Sequence, residues 1–393
     1  MFIFLGLPLL GLAYIGWHLW ALIPLPAWFR SLLIGLLTGA FLLLFLNLGR
    51  VIDRMPLTLA RLVYDVGNSS IFLLLYLAIF FLIMDLGRLV RLVPREWLFQ
   101  NYYTTSALAV LLFAVFLLGN IHYHHKERVE LTLPAKGKIE KPVRLVMLSD
   151  LHLGYHNPRK ELARWVDLIN AEQPDLVLIA GDIIDMSIRP LTEENMAEEM
   201  RRIKAPVFAC LGNHEYYSNE PMAEQFYRDA NIRLLRDTTV VVGSLSITGR
   251  DDRANVHRRS MGLLNKGIDH SKYTILLDHQ PYHLEQAEHA GIDFQLSGHT
   301  HHGQVWPISW ITDFVYECAF GFHQRGDTRY YISSGIGLWG GKFRIGTQSE
   351  YVVATIQNES NGRLKLHACD NKNSMPMPTS GGVFRPEAVG IDS

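Results

Sequence analysis

A chain of 393 residues has room for two or three domains, and 49% hydrophobic against 19% charged residues is apolar for a protein surrounded by water. The net charge of −1 leaves no basic footprint for nucleic acid, and three cysteines (Cys210, Cys318 and Cys369) are too few and too scattered for a disulfide framework or a zinc ribbon. The apolar excess lies almost entirely before residue 121.

A bilayer-spanning helix takes roughly 20 mainly apolar residues. Four stretches fit: Phe2 to Ile23, Leu32 to Leu48, Ser70 to Met84 or Leu89, and Ser106 to Ile121, each nearly free of charge. A cleavable signal peptide is the rival reading of the first. It lacks a basic leading region and a clear small-residue cleavage site, and further apolar stretches follow it. A water-soluble helical domain would show apolar stripes rather than all-round apolarity. Residues 1–121 are therefore expected to form a transmembrane helical region of about four spans, with Trp17, Trp20, Trp28, Tyr102 and Tyr103 near their ends as interfacial aromatics. Four spans place the N-terminus, the loop with Arg50, Arg54 and Arg61, and everything after residue 121 on one side. Lys126, Arg128, Lys136, Lys138 and Lys141 add to that side, against Arg30, Arg88, Arg91 and Arg95 opposite, so the positive-inside rule leans toward a cytoplasmic C-terminal region.

Residues 122–142 read as a linker, basic and bearing Pro and Gly near Leu133 to Lys141. Beyond it, short apolar runs alternate with helical spacing. Strands are expected at Arg144 to Ser149, Asp175 to Ala180, Val207 to Leu211, Val240 to Thr248, Tyr273 to Leu277, Asp293 to Leu296, Tyr330 to Ser333 and Tyr351 to Ile356. Helices are expected at Glu161 to Glu172, with Leu162, Trp165, Val166 and Ile169 on one face, and at Thr192 to Ile203. This is an α/β pattern, in which ligands bind beyond strand ends. From Cys369 to Ser393 the chain loses periodicity and reads as a flexible tail.

Five loops at those strand ends carry metal-binding side chains: Asp150-Leu151-His152; Gly181-Asp182, with Asp185 following; Gly212-Asn213-His214-Glu215; Asp278-His279-Gln280-Pro281; and Gly298-His299-Thr300-His301. Singly each is weak, since a lone histidine is more often a hydrogen-bonded structural residue. Together and in this order they point to a metal centre. Carboxylate, imidazole and amide oxygen suit Mn, Fe or Zn. The donors exceed what one ion needs, so two divalent ions about 3.5–4 Å apart are the economical answer, the arrangement that clamps a phosphoryl group.

These segments resemble the calcineurin-like metallophosphoesterase family, and within it the bacterial membrane-linked phosphohydrolases carrying Gly-His-Thr-His-x-Gly-Gln, here Gly298-His299-Thr300-His301-His302-Gly303-Gln304. The resemblance covers about Val143 to Ile356. It implies a four-layer αββα sandwich of two mixed β-sheets flanked by helices. It also implies that Asp150, His152 and His301 bind one metal, that Asp182 bridges, and that Asn213, His279 and His299 bind the second. By the same resemblance His214 would contact the phosphoryl oxygens and protonate the leaving group, and a metal-activated hydroxide would attack. The late segment Gly335-Ile336-Gly337-Leu338-Trp339-Gly340-Gly341 leads into Lys342-Phe343-Arg344 where relatives carry Pro-Ile-Arg, which leaves substrate preference there open.

The expected organisation is a transmembrane region at 1–121, a linker at 122–142, a metallophosphoesterase domain at 143–368 and a tail at 369–393. The expected function is a membrane-anchored dinuclear-metal phosphohydrolase of the bacterial plasma membrane, cleaving phosphoester or pyrophosphate bonds, with a lipid or envelope precursor as one substrate class. The rivals are a phosphodiesterase for soluble or cyclic nucleotides and a catalytically silent metal-binding scaffold. His122, His124 and His125 read as membrane-surface residues, Asp185 as either a substrate-positioning or a loop-capping carboxylate, and Asp251 and Asp252 as a solvated turn. Trp306, Trp310, Trp339 and Phe343 read as packing or as an apolar wall for a lipid chain.

Overall fold

The computed structural model of the protein describes residues 2–218 and 220–358. The expected tail at 369–393 lies outside these. Four apolar helices come first: α1 (Phe2–Leu22), α2 (Ala27–Leu48), α3 (Leu57–Leu89) and α4 (Tyr102–His124). Ala27–Asn47, Leu57–Leu89 and Tyr102–His124 are each long and apolar enough to cross a membrane, and α1 contributes the shorter apolar stretch Pro8–Leu22. Ile15, Leu19 and Leu22 of α1 pack on Leu77 and Phe81 of α3. Meanwhile Leu36, Leu82, Phe113 and Leu118 stay exposed, the opposite of a helix bundle in water. Gly67 lets α3 approach α2 closely, for a Cβ there would lie 2.9 Å from the Leu44 backbone nitrogen.

At 1.5 Å per residue the 33 residues of α3 reach roughly 50 Å, well beyond a hydrocarbon core of about 30 Å. The expected span began at Ser70. The turns before it, with Arg61, Tyr64, Asp65 and Asn68, continue the helix and are used in docking. Arg61 pairs with Glu194 at 2.5 Å, and His156 Nδ1 lies 2.8 Å from Asp65 Oδ1.

The remainder contains twelve strands among the described residues: β1 (Lys126–Pro134), β2 (Val143–Leu148), β3 (Leu176–Ala180), β4 (Val207–Cys210), β5 (Ile232–Leu234), β6 (Thr238–Val242), β7 (Leu245–Gly249), β8 (Tyr273–Leu277), β9 (Phe294–Ser297), β10 (Gly321–Arg325), β11 (Thr328–Ile332) and β12 (Ser349–Gln357). They form two six-stranded mixed sheets, ordered β1-β12-β2-β3-β4-β5 and β10-β11-β9-β8-β7-β6. Leu145, Met147, Leu178, Ile247, Ile275 and Leu296 fill the space between the sheets. Trp165, Val166 and Ile169 of the helix Arg159–Ala171 cover the outer face of the first sheet, and Leu264, Ala287 and Leu284 that of the second. Alternating faces of each strand thus serve two apolar layers, which is why the strands read as near-continuous apolar runs.

Three elements differ from the sequence reading. The stretch read as linker contains β1, the edge strand, paired in parallel with β12 from Lys126 against Ser349 onward. The run Val240 to Thr248 is a hairpin, β6 and β7, turning at Gly243 with φ +55°. The helix expected at Thr192 to Ile203 is two short ones, Arg189–Glu193 and Met196–Met200, broken where Asn195 takes φ +53°.

Candidate metal centre

The five loops leave the C-terminal ends of β2, β3, β4, β8 and β9, parallel strands drawn from both sheets, so their side chains meet along one rim. Asp150, His152 and His301 form one group of converging donor atoms, and Asp182, His279 and His299 another. His152 Nε2 and His301 Nε2 are 3.1 Å apart and lie 3.9 and 3.5 Å from Asp150 Oδ1. Asp182 Oδ2 stands between the groups, 3.1 Å from His279 Nε2 and 3.7 Å from His152 Nε2. Asn213, buried, opens the short helix Asn213–Tyr217 that follows β4.

The backbone is arranged to permit this. Asp150, His152, Asp182, His299 and His301 all have φ between +45° and +71°, a left-handed conformation that non-glycine residues adopt at a cost of about 1–3 kcal/mol each. Neighbouring glycines leave room: a Cβ on Gly212 would sit 2.1 Å from Asp182 Oδ1, and one on Gly298 2.3 Å from Asp150 Oδ2. Glu215, fully buried, ties two loops together. Its carboxylate accepts from the backbone N–H groups of Ile183 (2.8 Å), Ile184 (3.0 Å) and Gly212 (2.7 Å).

The donor set fits divalent cations. His279 Nδ1 donates to the Ala180 carbonyl at 2.7 Å, which leaves Nε2 as the lone-pair nitrogen facing Asp182. Asn213 Oδ1 is buried without a hydrogen-bond partner, a cost a fold rarely tolerates unless something else binds there. Burial pushes the His299 imidazole down to about 3 and that of His301 well below its ordinary value, so both are neutral, the form that ligates a metal. His279 is burdened by burial too, but the Asp182 carboxylate holds it well above its ordinary value. A cation bound there would take the place of a proton on Nε2.

Asp185 has a different task. Its Oδ1 lies 3.3 Å from His152 Nδ1 and 3.1 Å from His214 Nδ1, and its Oδ2 accepts from the Tyr64 hydroxyl of α3 at 2.5 Å. Burial alone would raise its carboxyl; bonds to His152 and His214 hold it far below the usual range. Burial likewise disfavours a charged His214, yet Asp182 and then Asp185 push its imidazole up to about 9. His214 is thus drawn toward its protonated form, and its side chain is more exposed than those of Asp185 and His152.

A calcineurin-like phosphoesterase profile matches residues 143–303. An uncharacterized metallophosphoesterase of Aquifex aeolicus is 31% identical over 269 residues, which is 64% of this chain and the whole of that one. The chain is a calcineurin-like metallophosphoesterase. An uncharacterized metallophosphoesterase of Campylobacter jejuni is 30% identical over 229 residues, 56% of this chain, and the match spans only 61% of that relative. A transmembrane protein with metallophosphoesterase domain from Danio rerio is 26% identical over 81% of this chain and 77% of its own. A match of that extent reaches into the helical region, and with the apolar helices it marks this metallophosphoesterase as a membrane protein.

All eight residues expected at the site, Asp150, His152, Asp182, Asn213, His214, His279, His299 and His301, lie on the one rim. Sequence reasoning left Asp185 open and gave Glu215 and Arg344 no role. Arg344 is buried and donates to the carbonyls of His301 (2.7 Å) and Ser334 (2.5 Å), bracing the metal loop from below. The segment where substrate preference stood open is thus anchored by a residue turned inward. Asp251 and Asp252, expected in a solvated turn, are buried. Asp251 accepts from Tyr216 and Arg236, and Asp252 from Gln280 next to His279. His122, His124 and His125 sit at the end of α4, outside the donor groups.

Proposed function

We propose that this metallophosphoesterase holds two divalent ions (Mn, Fe or Zn) and hydrolyses phosphoester or pyrophosphate bonds of substrates met at a membrane surface. The observation that carries the reading is the pair of donor groups meeting at Asp182. Asp150, His152 and His301 would hold one ion, Asn213, His279 and His299 the other, and the Asp182 carboxylate would serve both. Bound there, two divalent ions supply positive charge for the phosphoryl oxygens and an activated water for in-line displacement. The protein's own contribution is His214, held protonated and aimed by Asp185, which can give its proton to the leaving oxygen. No nucleophilic side chain is required. The catalytic rim faces the helical bundle, which favours a membrane-borne substrate over a soluble or cyclic nucleotide. The loop charges favour the cytoplasmic side of a bacterial plasma membrane.

The test is hydrolysis by detergent-purified protein offered a chromogenic phosphodiester, a phosphomonoester and a lipid pyrophosphate. Stripped protein would be compared with protein given Mn²⁺, and with Asp182→Asn and His214→Ala. Metal-dependent turnover that falls by a factor of about 10²–10⁴ in His214→Ala is expected. Two bound metals with no turnover on any substrate would favour the scaffold reading. A reporter fused after Ser393 that is silent in the cytoplasm would overturn the orientation.

A further inference from the structure

Between the ends of α2 and α3 and the phosphoesterase rim lies a cavity of about 250 Å³. Leu44, Asn47 and Arg50 supply its bundle wall, and Met186, Trp339 and His214 its rim wall. Neither half of the molecule makes it alone. Its lining includes His214 and Asp185 but none of the seven residues assigned to the metals, so it lies on the side of the centre where the proton is delivered. Leu44, Ile52, Met186 and Trp339 form its apolar part, while Asp53, Asn68, Asp185 and Ser187 join Asn47, Arg50 and His214 as polar or charged lining. The Asn47 side chain is 8% exposed, and neither its amide nitrogen nor its oxygen has a hydrogen-bond partner. A buried unpaired amide is unfavourable unless a ligand completes it. The Arg50 guanidinium, which donates to the Tyr217 carbonyl, adds positive charge at the wall. Asn47 is also the last residue of the apolar span Ala27–Asn47, so the cavity sits at the end of that span.

We propose that this cavity receives the leaving group of the substrate, and that the leaving group is the alcohol of an amphiphile. Its apolar chain lies against Leu44, Met186 and Trp339, and an amide or ester linkage near the phosphate pairs with Asn47. The inference rests on the phosphohydrolase reading and deepens it. In the reaction the oxygen of water bonds to phosphorus as the bond from phosphorus to the alcohol oxygen breaks. His214 gives its proton to that oxygen, and a proton lost by the water restores the balance.

The test uses the full-length protein in detergent with Mn²⁺ and measures phosphate release from n-alkyl phosphates of two to eight carbons, below their micellar concentrations. N-acylethanolamine phosphates of matched length are run beside them. Buried methylenes are worth about fourfold each in kcat/KM until the cavity is full. Wild-type protein should therefore show a steep rise with chain length and a further preference for the amide-bearing series. Met186→Trp, which fills the space, should lower the octyl-to-ethyl ratio at least tenfold. Asn47→Leu should bring the ratio of the amide-bearing to the plain series toward one. A flat chain-length profile, or a steep one that neither variant alters, would overturn the cavity assignment while leaving the phosphohydrolase reading standing. If the chromogenic phosphodiester of the preceding test is not cleaved either, that reading falls and the cavity assignment with it.

Discussion

Tyr64 lies on a helix that continues into the membrane, yet its hydroxyl is bonded to the carboxylate that orients His214 and His152. Tyr64→Phe removes one oxygen and nothing else. The lost bond, 2.5 Å to Asp185 Oδ2, is fully buried and made to a charged acceptor, so about 1.5–3 kcal/mol of stability should go with it. The chemical effect should be separable. Asp185 Oδ1 stands 3.1 Å from His214 Nδ1 and 3.3 Å from His152 Nδ1, and a carboxylate free to rotate no longer fixes either ring. We expect kcat to fall on the order of tenfold with KM little changed, the signature of an interaction that matters to the transition state. Tyr76→Phe is the control: its hydroxyl also joins α3 to the catalytic half, donating to the Trp306 carbonyl at 2.6 Å, but away from the metals. The assay is thermal unfolding in detergent beside steady-state kinetics on one chromogenic substrate. Equal falls in kcat for the two variants, or a lower melting temperature for Tyr64→Phe with kcat intact, would refute the idea that α3 positions the proton donor.

Three further outcomes are expected. Gly212→Ala drives a methyl into Asp182 Oδ1, 2.1 Å from the ideal Cβ, and should abolish binding of the second equivalent of metal in a titration while leaving the helical circular-dichroism signal in place. Arg344→Met strands the carbonyls of His301 and Ser334 in the interior and should cost more than about 3 kcal/mol, seen as loss of monodisperse folded protein. Glu172, bonded to Arg128 at 2.6 and 3.0 Å and to Arg144 at 2.6 Å, has its carboxyl held below the usual range, first by Arg128 and, against the pull of burial, by Arg144. A depressed carboxylate stabilises the fold above its unfolded value near 4.3 and loses that contribution as pH falls through its folded value. Glu172→Gln should therefore cost about 1–2 kcal/mol at pH 7, solvent screening of the partly exposed arginines included, and the deficit should close below about pH 4 in denaturant titrations.

Much of the catalytic half could be read directly because its logic is local. Each loop of donors follows an apolar run by one to three residues, and a parallel strand that ends at a rim delivers whatever comes next to that rim. The membrane helices were legible for a similar reason: all-round apolarity needs no partner to interpret. What escaped notice depended on distant partners. The strand β1 looks like a basic linker until Ser349–Gln357 is laid beside it. Asp251 and Asp252 look solvated because their partners, Arg236 and Gln280, come from other loops. The roles of Asp185 and Glu215 rest on distances across loops, although the spacing of Asp185 three residues after Asp182 was the available signal. The long α3 was truncated because Arg61, Asp65 and Asn68 interrupt its apolarity, and those are the residues that meet the catalytic half.

One consequence of the edge strand concerns reach. Only His125 separates the end of α4 from β1, and β1 is pinned along its length to β12. There is no slack tether here, so the site is held close to the end of α4. A domain on a slack leash samples a volume; one anchored this closely in a bilayer would sweep a plane. For a substrate confined to the same leaflet, encounter would become a two-dimensional search at constant height, and bilayer thickness or headgroup bulk would set whether the scissile bond arrives level with the site.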